Sequence, residues 1–449
     1  MTKLFLAATL SAITVSLFAQ DFAGSRSGNY TGVNGVFTNP ANIADSRYRW
    51  NVNLFSLNAN IGNSQGSFSL SNLSSALGDN VDSFFFGKSN KEVSAMAAAE
   101  FVGPGVMINL GKNSFAITTR ARILANIKDL DGNLIESIDD ENDALPVTLN
   151  SNSNQKIIMN AWSEIAGTYG RVLYNKGPHF LKGGATIKYL MGSSNNFANI
   201  NNFKGTLDDN LTGDVYLTNA SGKIAIGVSG IDFDNAEGSD LLKSYGHGVG
   251  FDLGFIYEFR PTGNNYKFKV GLSLMDLGSI RYKPEADEFG DYTIHIPNGS
   301  QWYPSDLDGK SISEVKTYLD ANPAYFSNNT PNLSKYKANL PTTLQFNADL
   351  NIISRFYAEL AGQLSVVSKT NIYSSFYYQA ITLTPRYEGR RIGFALPINY
   401  NELTNFNVGL ALRLGPVFVG SGSFLSALMD KSKQADFHFG VRFGGLRKG

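Results

Sequence analysis

Acidic side chains crowd two stretches of the sequence, and these are the first candidates for binding a metal ion. One stretch spans 129–143 and includes Asp129, Asp131 and Asp139; the other spans 232–240. Carboxylate oxygens at alternate positions suit calcium, so these three aspartates are the candidate ligands. The spacing differs from an EF-hand loop because a glycine comes too early. Solvated surface loops are the favoured interpretation, and no cofactor is predicted.

Side chains with the chemistry of catalysis are scattered. The four histidines have no zinc-ligand spacing, and the sequence contains no H-E-x-x-H or G-x-S-x-G motif. The Phe-Gly-Lys-Ser stretch at 86–89 resembles part of a phosphate loop, but Asp82 stands where its first glycine belongs. His438 is the single residue that we consider as a general base. We therefore predict a protein that is not an enzyme.

The composition also limits the choice of class. The chain has 449 residues, of which only 17% are charged, with 45 Gly, 31 Phe and 21 Tyr. Cysteine is absent and the net charge is zero, which excludes disulfides and thiolate metal sites and gives no sign of a nucleic-acid partner. Few charges together with many glycines and aromatic residues are typical of a closed sheet with aromatic girdles.

The N-terminus has the pattern of an export signal. Lys3 precedes an apolar stretch from Leu4 to Phe18, and cleavage is expected near Ala19-Gln20. The stretch is shorter than the roughly 20 apolar residues that a membrane-spanning helix needs. We expect residues 1–19 to be a signal peptide and 20–449 to be one exported domain.

The elements that must carry these residues are long alternating strands. From Val249 to Phe259 every second side chain is apolar, and the side chains between them are mostly polar or glycine. About 9–11 residues cross a bilayer as a tilted strand, with the apolar row facing lipid. Similar alternation occurs at 344–352, 406–414 and 437–443, and less regularly at 50–61, 115–123, 157–175, 181–191, 213–228, 266–274, 356–366, 371–387, 392–400 and 416–424. A soluble β-sandwich also alternates, but its strands average about 5–6 residues. The sequence predicts an all-β transmembrane antiparallel barrel of about 14 strands, within a range of 12–16.

Connections between these strands are either very short or very long. Tight turns are expected at 263–265 and 175–178, and long surface loops at 128–155, 192–212, 229–247 and 284–340. The 284–340 insertion contains a predicted helix, Ser311 to Asp320, with the Ser311/Glu314 spacing of a capping box.

The N-terminal segment, 20–104, is expected to combine the first strands with a plug. Asn39 is a suitable N-cap and Pro40 fits the first position of a helical turn. Residues 71–104 are the candidate for a partial plug, with a stretch from Val93 to Glu100 that could be helical. An ordinary long loop is the alternative for this part.

Several short motifs occur in a fixed order along the chain: Asn39, Pro40 and Ala41, then Gly250, Asp252 and Gly254, then Gly271 and Gly278, and finally Arg413, Gly415 and Pro416. In this order they resemble outer-membrane barrels of Bacteroidota related to the FadL/PorV group. The resemblance implies 14 strands and an N-terminal hatch. From the residues alone, the glycines are explained by crowding where strands tilt, and Pro416 by the start of a strand or a turn.

The resemblance implies two functions, both in the outer membrane. The first is a FadL-like passage or binding protein for small hydrophobic or amphipathic molecules. The alternative is an envelope interaction protein that does not transport, such as a PorV-like partner of type IX secretion. Expected partners are outer-membrane lipid, together with hydrophobic small molecules or an envelope protein.

Overall fold

The computed structural model describes most of the chain. The described residues are 24–26, 28–67, 69, 91–132, 145–210, 212–231, 243–261, 263, 265–429 and 432–447. The predicted signal peptide, the 86–89 stretch, Asp139 and the second acidic stretch lie outside them.

The described residues form twenty strands in one antiparallel sheet. The strands are β1 (Tyr48–Asn63), β2 (Val93–Leu110), β3 (Asn113–Leu130), β4 (Val147–Lys176), β5 (His179–Asp209), β6 (Val215–Gly230), β7 (Gly246–Phe259), β8 (Phe268–Tyr282), β9 (Phe289–Ile296), β10 (Phe326–Asn328), β11 (Tyr336–Asn339), β12 (Thr343–Ile353), β13 (Phe356–Ser365), β14 (Ala380–Glu388), β15 (Ile392–Ala395), β16 (Ile398–Asn401), β17 (Asn405–Val408), β18 (Leu410–Leu414), β19 (Val417–Ser421) and β20 (Gln434–Leu446).

The sheet closes because β1 pairs with β2 on one edge and with β20 on the other. The wall follows the order β1, β2, β3, β4, β5, β7, β8, β12, β13 and β14, then β15 with β16, β18 with β17, β19 and β20. Counting β15 with β16, and β17 with β18, as one wall strand each gives a closed barrel of 14 strands. The predicted fold class and strand number are confirmed.

Proline and glycine divide these two wall strands. Pro397 separates β15 from β16, and Gly409 separates β17 from β18, where the Gly409 amide donates to the Pro397 carbonyl at 2.8 Å. Proline has no amide hydrogen for the ladder, so the predicted continuous strand at 392–400 is interrupted.

The alternating rows face as predicted. On β7 the side chains of Val249, Phe251 and Leu253 are about half exposed on the outer surface, whereas Asp252 and Glu258 are buried inside. Ten residue steps at about 3.3 Å, tilted by about 40°, cover roughly 25 Å, the height of the apolar band of such barrels. The apolar rows therefore form the lipid-facing surface of a transmembrane barrel.

The two ends of the barrel differ. One end, called the short-turn end below, holds the tight connections at 111–112, 177–178, 260–267, 354–355, 389–391 and 415–416, together with the start of β1 and the end of β20. The opposite, long-loop end extends well beyond the wall, because β4 has 30 residues and β5 has 31.

This extension is an outer lobe built from the long-loop halves of β4 and β5 with β6, β9 and β10. Its core contains Phe203 and Leu207 from β5, packed with Val315 and Leu319 from a helix. The loop predicted at 192–212 is wrong: these polar residues continue the β5 ladder, and the lobe core buries its apolar face.

The helix is α1 (Ile312–Ala321), and its prediction is confirmed. The Ser311 side chain accepts from the Glu314 amide, and the Glu314 carboxylate accepts from the Ser311 amide at 2.7 Å. The hydrogen bonds that the Ser311 amide and hydroxyl donate to the Glu314 carboxylate lower the pKa of this group. A shorter helix, α2 (Phe424–Leu428), follows β19. Among the described residues, no helix is both long and apolar enough to cross a membrane.

The helix and the plug predicted to include Val93 to Glu100 are wrong for these residues. These residues are not helical but begin β2, where Ala95 pairs with Asn63 of β1 and with Ile127 of β3. Residues 93–104 therefore belong to the wall and not to a plug. Small alanine side chains tolerate either structure, and pairing with two neighbouring strands decides between them.

Candidate functional site

The lumen contains the N-terminal residues 24–26 and 28–47, which we call the plug. It holds two 3-10 turns, Gly32–Phe37 and Pro40–Ile43. Asn39 caps the second turn, as predicted, by accepting from the Ala41 amide at 2.9 Å. Pro40, Ala41 and Ile43 are buried, so the plug packs against the inner face of the wall.

The plug lies on three inward-facing glycines that we call the socket, Gly184, Gly254 and Gly271. Gly184 and Gly254 pair directly across β5 and β7. A Cβ atom on Gly184 would lie 2.4 Å from the Pro40 carbonyl carbon, and one on Gly254 would lie 2.1 Å from Asn39 Oδ1. The Asn39 amide donates to the backbone oxygens of Phe255 and Leu272, both at 3.3 Å. The socket therefore exists because these positions carry no side chain.

Charged side chains also join the plug to the inner face of the wall. Arg26 of the plug forms a buried ion pair with Glu100 of β2. The ring of Phe37 lies between two guanidinium groups, with the Arg26 carbon 4.8 Å and the Arg120 carbon 4.7 Å from its centroid. Arg120 in turn pairs with Glu164 at 2.7 Å. The plug is thus held by ion pairs and cation–π contacts with the wall.

The ion pairs continue across the lumen. Arg122 pairs with Asp276 at 2.8 Å, and Lys188 pairs with Asp252 at 2.7 Å and with Asp276 at 2.5 Å. Each of these side chains is at most 7% exposed. Buried charges persist only when they are paired, so this part of the lumen is a closed network and not an open aqueous channel.

A second stretch of chain, the inner segment 366–379, folds into the lumen from the long-loop end. The Asn126 side chain donates to the Phe376 carbonyl at 3.0 Å and accepts from the Phe376 amide at 2.9 Å. Lys156 Nζ donates to the Asn371 and Ser374 carbonyls, and Arg122 donates to the Tyr377 hydroxyl at 2.9 Å. The strand predicted at 371–387 is therefore wrong for its first half, since residues 371–379 lie inside the barrel and β14 begins at Ala380.

A cavity of about 180 Å³ lies between the plug and the inner segment. Its apolar lining comes from Phe37, Met96, Phe346, Tyr377, Tyr378 and Leu403. Most of the remaining lining is uncharged and polar, from Thr38, Asn39, Asn60, Ser273, Gln345, Asn347, Gln363, Thr382, Thr384, Asn401, Thr404 and Gln434. The two lining charges are already paired: Arg26 with Glu100, and Glu359 with Asn347 and Arg386. The cavity therefore suits an uncharged molecule with both apolar and polar parts.

The wall beside this cavity is interrupted. β19 pairs with β20 only from Val417–Val441 to Gly420–His438, whereas β20 begins earlier, at Gln434. Among the described residues, no strand fills the place between β17 and the first residues of β20; α2 lies there instead, with the Val408 amide donating to Ser426 Oγ at 2.8 Å. We call this place the wall gap.

Side chains bridge the inner side of the wall gap. Gln434 Oε1 accepts from Asn401 at 3.2 Å and from Thr404 at 3.1 Å. All three residues also line the cavity, so the cavity reaches the gap. On the outer side, Phe424, Leu428 and Met429 are exposed on the lipid-facing surface.

The residues predicted as metal ligands are not assembled into a site. Asp129 pairs with Lys128 and bonds to Ser94, whereas the Asp131 amide bonds to Gln155. No described residues form a group of three or more potential ligands for a metal ion. His438, the candidate base, is buried against the plug, with Nε2 2.6 Å from Ser25 Oγ.

The motif residues fall into two groups. Asn39, Pro40, Ala41, Gly254 and Gly271 meet in the socket. Asp252 lies in the ion network. Near it β7 and β8 approach each other closely: a Cβ atom on Gly278 would lie 2.2 Å from the Val249 carbonyl oxygen.

The remaining motif residues lie elsewhere. A Cβ atom on Gly250 would lie 3.1 Å from Leu340 Cδ1, a tight contact that a small shift of this leucine side chain would have to relieve. Gly415 and Pro416 form the β18–β19 turn, where Gly415 has φ +60°. Arg413 donates to the Gly389 carbonyl at 2.6 Å and lies over the Tyr30 ring of the plug.

Sequence reasoning missed the inner segment, the cavity and the wall gap. The aromatic run Phe376-Tyr377-Tyr378 was a usable signal, because three consecutive large side chains cannot all lie on one face of a strand. The gap left no comparable signal.

The chain belongs to the family of unknown function DUF5723, whose sequence pattern matches residues 40–422. No curated protein matches the chain. Among solved structures, it is similar to the Ralstonia pickettii toluene transporter TbuX, at 10% identity and a TM-score of 0.40, covering 96% of this chain and 97% of that one. It is also similar to a Pseudomonas aeruginosa FadL homologue, at 8% identity and a TM-score of 0.43, covering 96% and 100% of the two chains.

Proposed function

We propose that this protein is an outer-membrane passage protein, without an enzymatic step, for small uncharged amphipathic molecules. The molecule would bind in the cavity and exchange with the membrane through the wall gap, where α2 would move aside. The observation that carries the proposal is the position of the cavity, whose lining includes residues on both edges of the gap.

The size and lining of the cavity support a ligand of about one ring. An engineered cavity of about 150 Å³ in another protein binds benzene, and this one has about 180 Å³. Apolar side chains would hold the ring, and the surrounding amides and hydroxyls would bond a polar substituent. Asn60 Oδ1 and Gln434 Nε2, on two lining residues, have no hydrogen-bond partner among the described residues. Burying a charged ligand would be costly because the lining charges are already neutralised.

The route also favours a molecule that is soluble in lipid. Buried ion pairs and the plug fill the lumen beside the cavity, whereas the gap is closed by α2 and by hydrogen bonds between uncharged groups. Short turns of such barrels normally face the periplasm, which would place the cavity and the outer lobe towards the cell exterior. The signal peptide and the kinship to Bacteroidota barrels of the PorV group remain predictions from the sequence.

Binding of p-cresol to the full-length protein in detergent, measured by isothermal titration calorimetry, tests the proposal. Leu403→Trp would fill the cavity with a larger ring and should weaken binding at least about tenfold, which corresponds to about 1.4 kcal/mol. Leu412→Trp on the lipid-facing side of β18 is the matched control and should bind like the unmodified protein.

Two results would count against the proposal. One is an absence of saturable heat with p-cresol and with two other uncharged one-ring probes, toluene and benzyl alcohol. The other is equal binding by both tryptophan variants. A stoichiometric protein partner that copurifies while no ligand binds would favour the envelope interaction alternative instead.

A further inference from the structure

Exposed basic side chains surround the short-turn end of the barrel. They occur at six of the seven places where neighbouring wall strands meet at this end, counting the meeting of β1 and β20; the β18–β19 turn is the exception. The residues are Lys112, Lys176, Lys267, Arg355, Arg390 with Arg391, and Arg49 with Arg447. We call this set the basic ring.

Acidic side chains do not balance the ring at the surface. In the described part of the short-turn end, the acidic residues are Asp45, Glu258, Asp349 and Glu388, and their side chains are at most 17% exposed. Each is already paired: Asp45 with Arg260 and with Arg447 of the ring, Glu258 with Arg260, Asp349 with Lys269 and Arg386, and Glu388 with Arg386. The outer surface of this end is therefore positive, although the whole chain has equal numbers of acidic and basic residues.

The basic ring lies beside an aromatic girdle. Trp50, Tyr169, Phe268 and Phe356 are exposed on the outer surface near the ends of their strands. Arg355 donates to the Tyr387 hydroxyl at 3.3 Å, and Tyr387 packs against Phe356 with centroids 5.2 Å apart. Aromatic girdles mark the interface between hydrocarbon and headgroups, so the cations lie at headgroup level.

Arg171 gives a second indication of this level. It is exposed on β4, on the same outward-facing row as Tyr169 and Leu173. A guanidinium group on a lipid-facing row must extend its charged end to the nearest headgroup region. The headgroups at this end therefore offer partners to cations on the wall itself as well as to those on the turns.

We propose that the basic ring binds the phosphate groups of anionic phospholipids in the leaflet at the short-turn end. The distribution around the circumference carries this inference, because a leaflet surrounds the barrel whereas a protein partner covers one arc of it. Lysine and arginine at the membrane surface attract anionic lipid, and guanidinium and ammonium groups bond phosphate oxygens directly. The proposal depends on the transmembrane barrel and not on the proposed transport.

Lipid retention by the purified full-length protein tests this proposal. The protein is incubated in detergent with equal amounts of phosphatidylglycerol and phosphatidylcholine, and bound lipids are counted by native mass spectrometry. Each surface cation favours the anionic lipid by about fivefold at low salt, so we expect a preference for phosphatidylglycerol of at least that size.

Two sextuple variants with the same change in net charge separate the ring from general charge. The ring variant replaces one cation at each of the six places by Gln, at Arg49, Lys112, Lys176, Lys267, Arg355 and Arg391. The control replaces six exposed cations of the long-loop end by Gln, at Lys204, Lys223, Arg281, Lys283, Lys335 and Lys337. The ring variant should retain both lipids about equally, and the control should keep the full preference. Heat-dependent mobility in electrophoresis verifies that each barrel is folded.

Three results would overturn the proposal: no preference in the unmodified protein, equal loss in both variants, or displacement of the lipid by 10 mM inorganic phosphate. The last result would assign the ring to a free anion. A preference that disappears in the ring variant and persists in phosphate supports binding to the lipid leaflet.

Discussion

Gly184→Ala should loosen the plug without opening the wall. The new Cβ would lie 2.4 Å from the Pro40 carbonyl carbon and 2.6 Å from the Ala41 amide nitrogen. Ordinary contacts at such a Cβ begin at 3.4 Å, so the plug backbone must retreat by about 1 Å. Because the contacting atoms belong to the backbone, a change of rotamer cannot relieve them. Overpacking of this kind costs about 1–3 kcal/mol.

Cysteine labelling measures this loosening directly, because the chain has no native cysteine. Val36→Cys places a thiol in the plug at a position that is 2% exposed. If a maleimide reacts only when the plug leaves its place, a destabilisation of 1–3 kcal/mol raises the labelling rate roughly 5- to 150-fold. The matched control is Gly167→Ala on β4, where an added Cβ has no neighbour within 4 Å.

The reasoning would be refuted by labelling of Val36→Cys at the same rate with Gly184→Ala as with Gly167→Ala, in barrels that remain folded. An equal increase with both substitutions would also refute it. Either outcome would mean that the socket does not hold the plug.

Two further changes test the wall gap and the ion network. The double substitution Val408→Cys with Ser426→Cys should link α2 to β17 by a disulfide when oxidised. Oxidation should then stop the exchange of p-cresol across the membrane of proteoliposomes, and reduction should restore it. Exchange that is unaffected by oxidation would contradict the lateral route. Arg122→Ala should lower the free energy of unfolding in urea by about 3–5 kcal/mol, because it leaves Asp276 with fewer cations in a buried site. An unchanged midpoint, equal to that of the surface control Arg355→Ala, would show that the ion network adds nothing to stability.

The barrel could be predicted from the sequence because lipid imposes a simple rule on each strand. One face must be apolar along its whole length, so Val249, Phe251 and Leu253 indicate their environment without any knowledge of their neighbours. The helix after Ser311 was predictable for a similar reason, since its capping box is local. Strand ends were less predictable. β5 continues to Asp209 because the outer lobe packs against it. The sequence of 192–212 shows that these residues are polar, but it does not show that the lobe packs against them.

The lumen was far less predictable because its contacts join distant residues. Arg26 and Glu100 are 74 positions apart, and Asn39 bonds to a carbonyl 233 positions away. The motif residues were identified, but their spacing could not show that Gly184 would complete a socket with Gly254 and Gly271. Buried polar partners depend on the register of β5, β7 and β8, which is set only when the barrel closes.

A ligand that leaves the cavity through the wall gap breaks weaker contacts than one that leaves along the barrel axis. An axial path requires the plug to leave, which breaks the buried Arg26–Glu100 pair at a cost of about 3–5 kcal/mol before other contacts are counted. Opening the gap breaks the Val408–Ser426 hydrogen bond and the Gln434 bonds to Asn401 and Thr404, which join uncharged groups and have net values of about 0.5–1.5 kcal/mol each, and it exchanges apolar protein contacts for lipid contacts. Gly184→Ala should therefore speed the labelling of Val36→Cys and leave p-cresol exchange unchanged. Parallel acceleration of both would assign the passage to the axis instead.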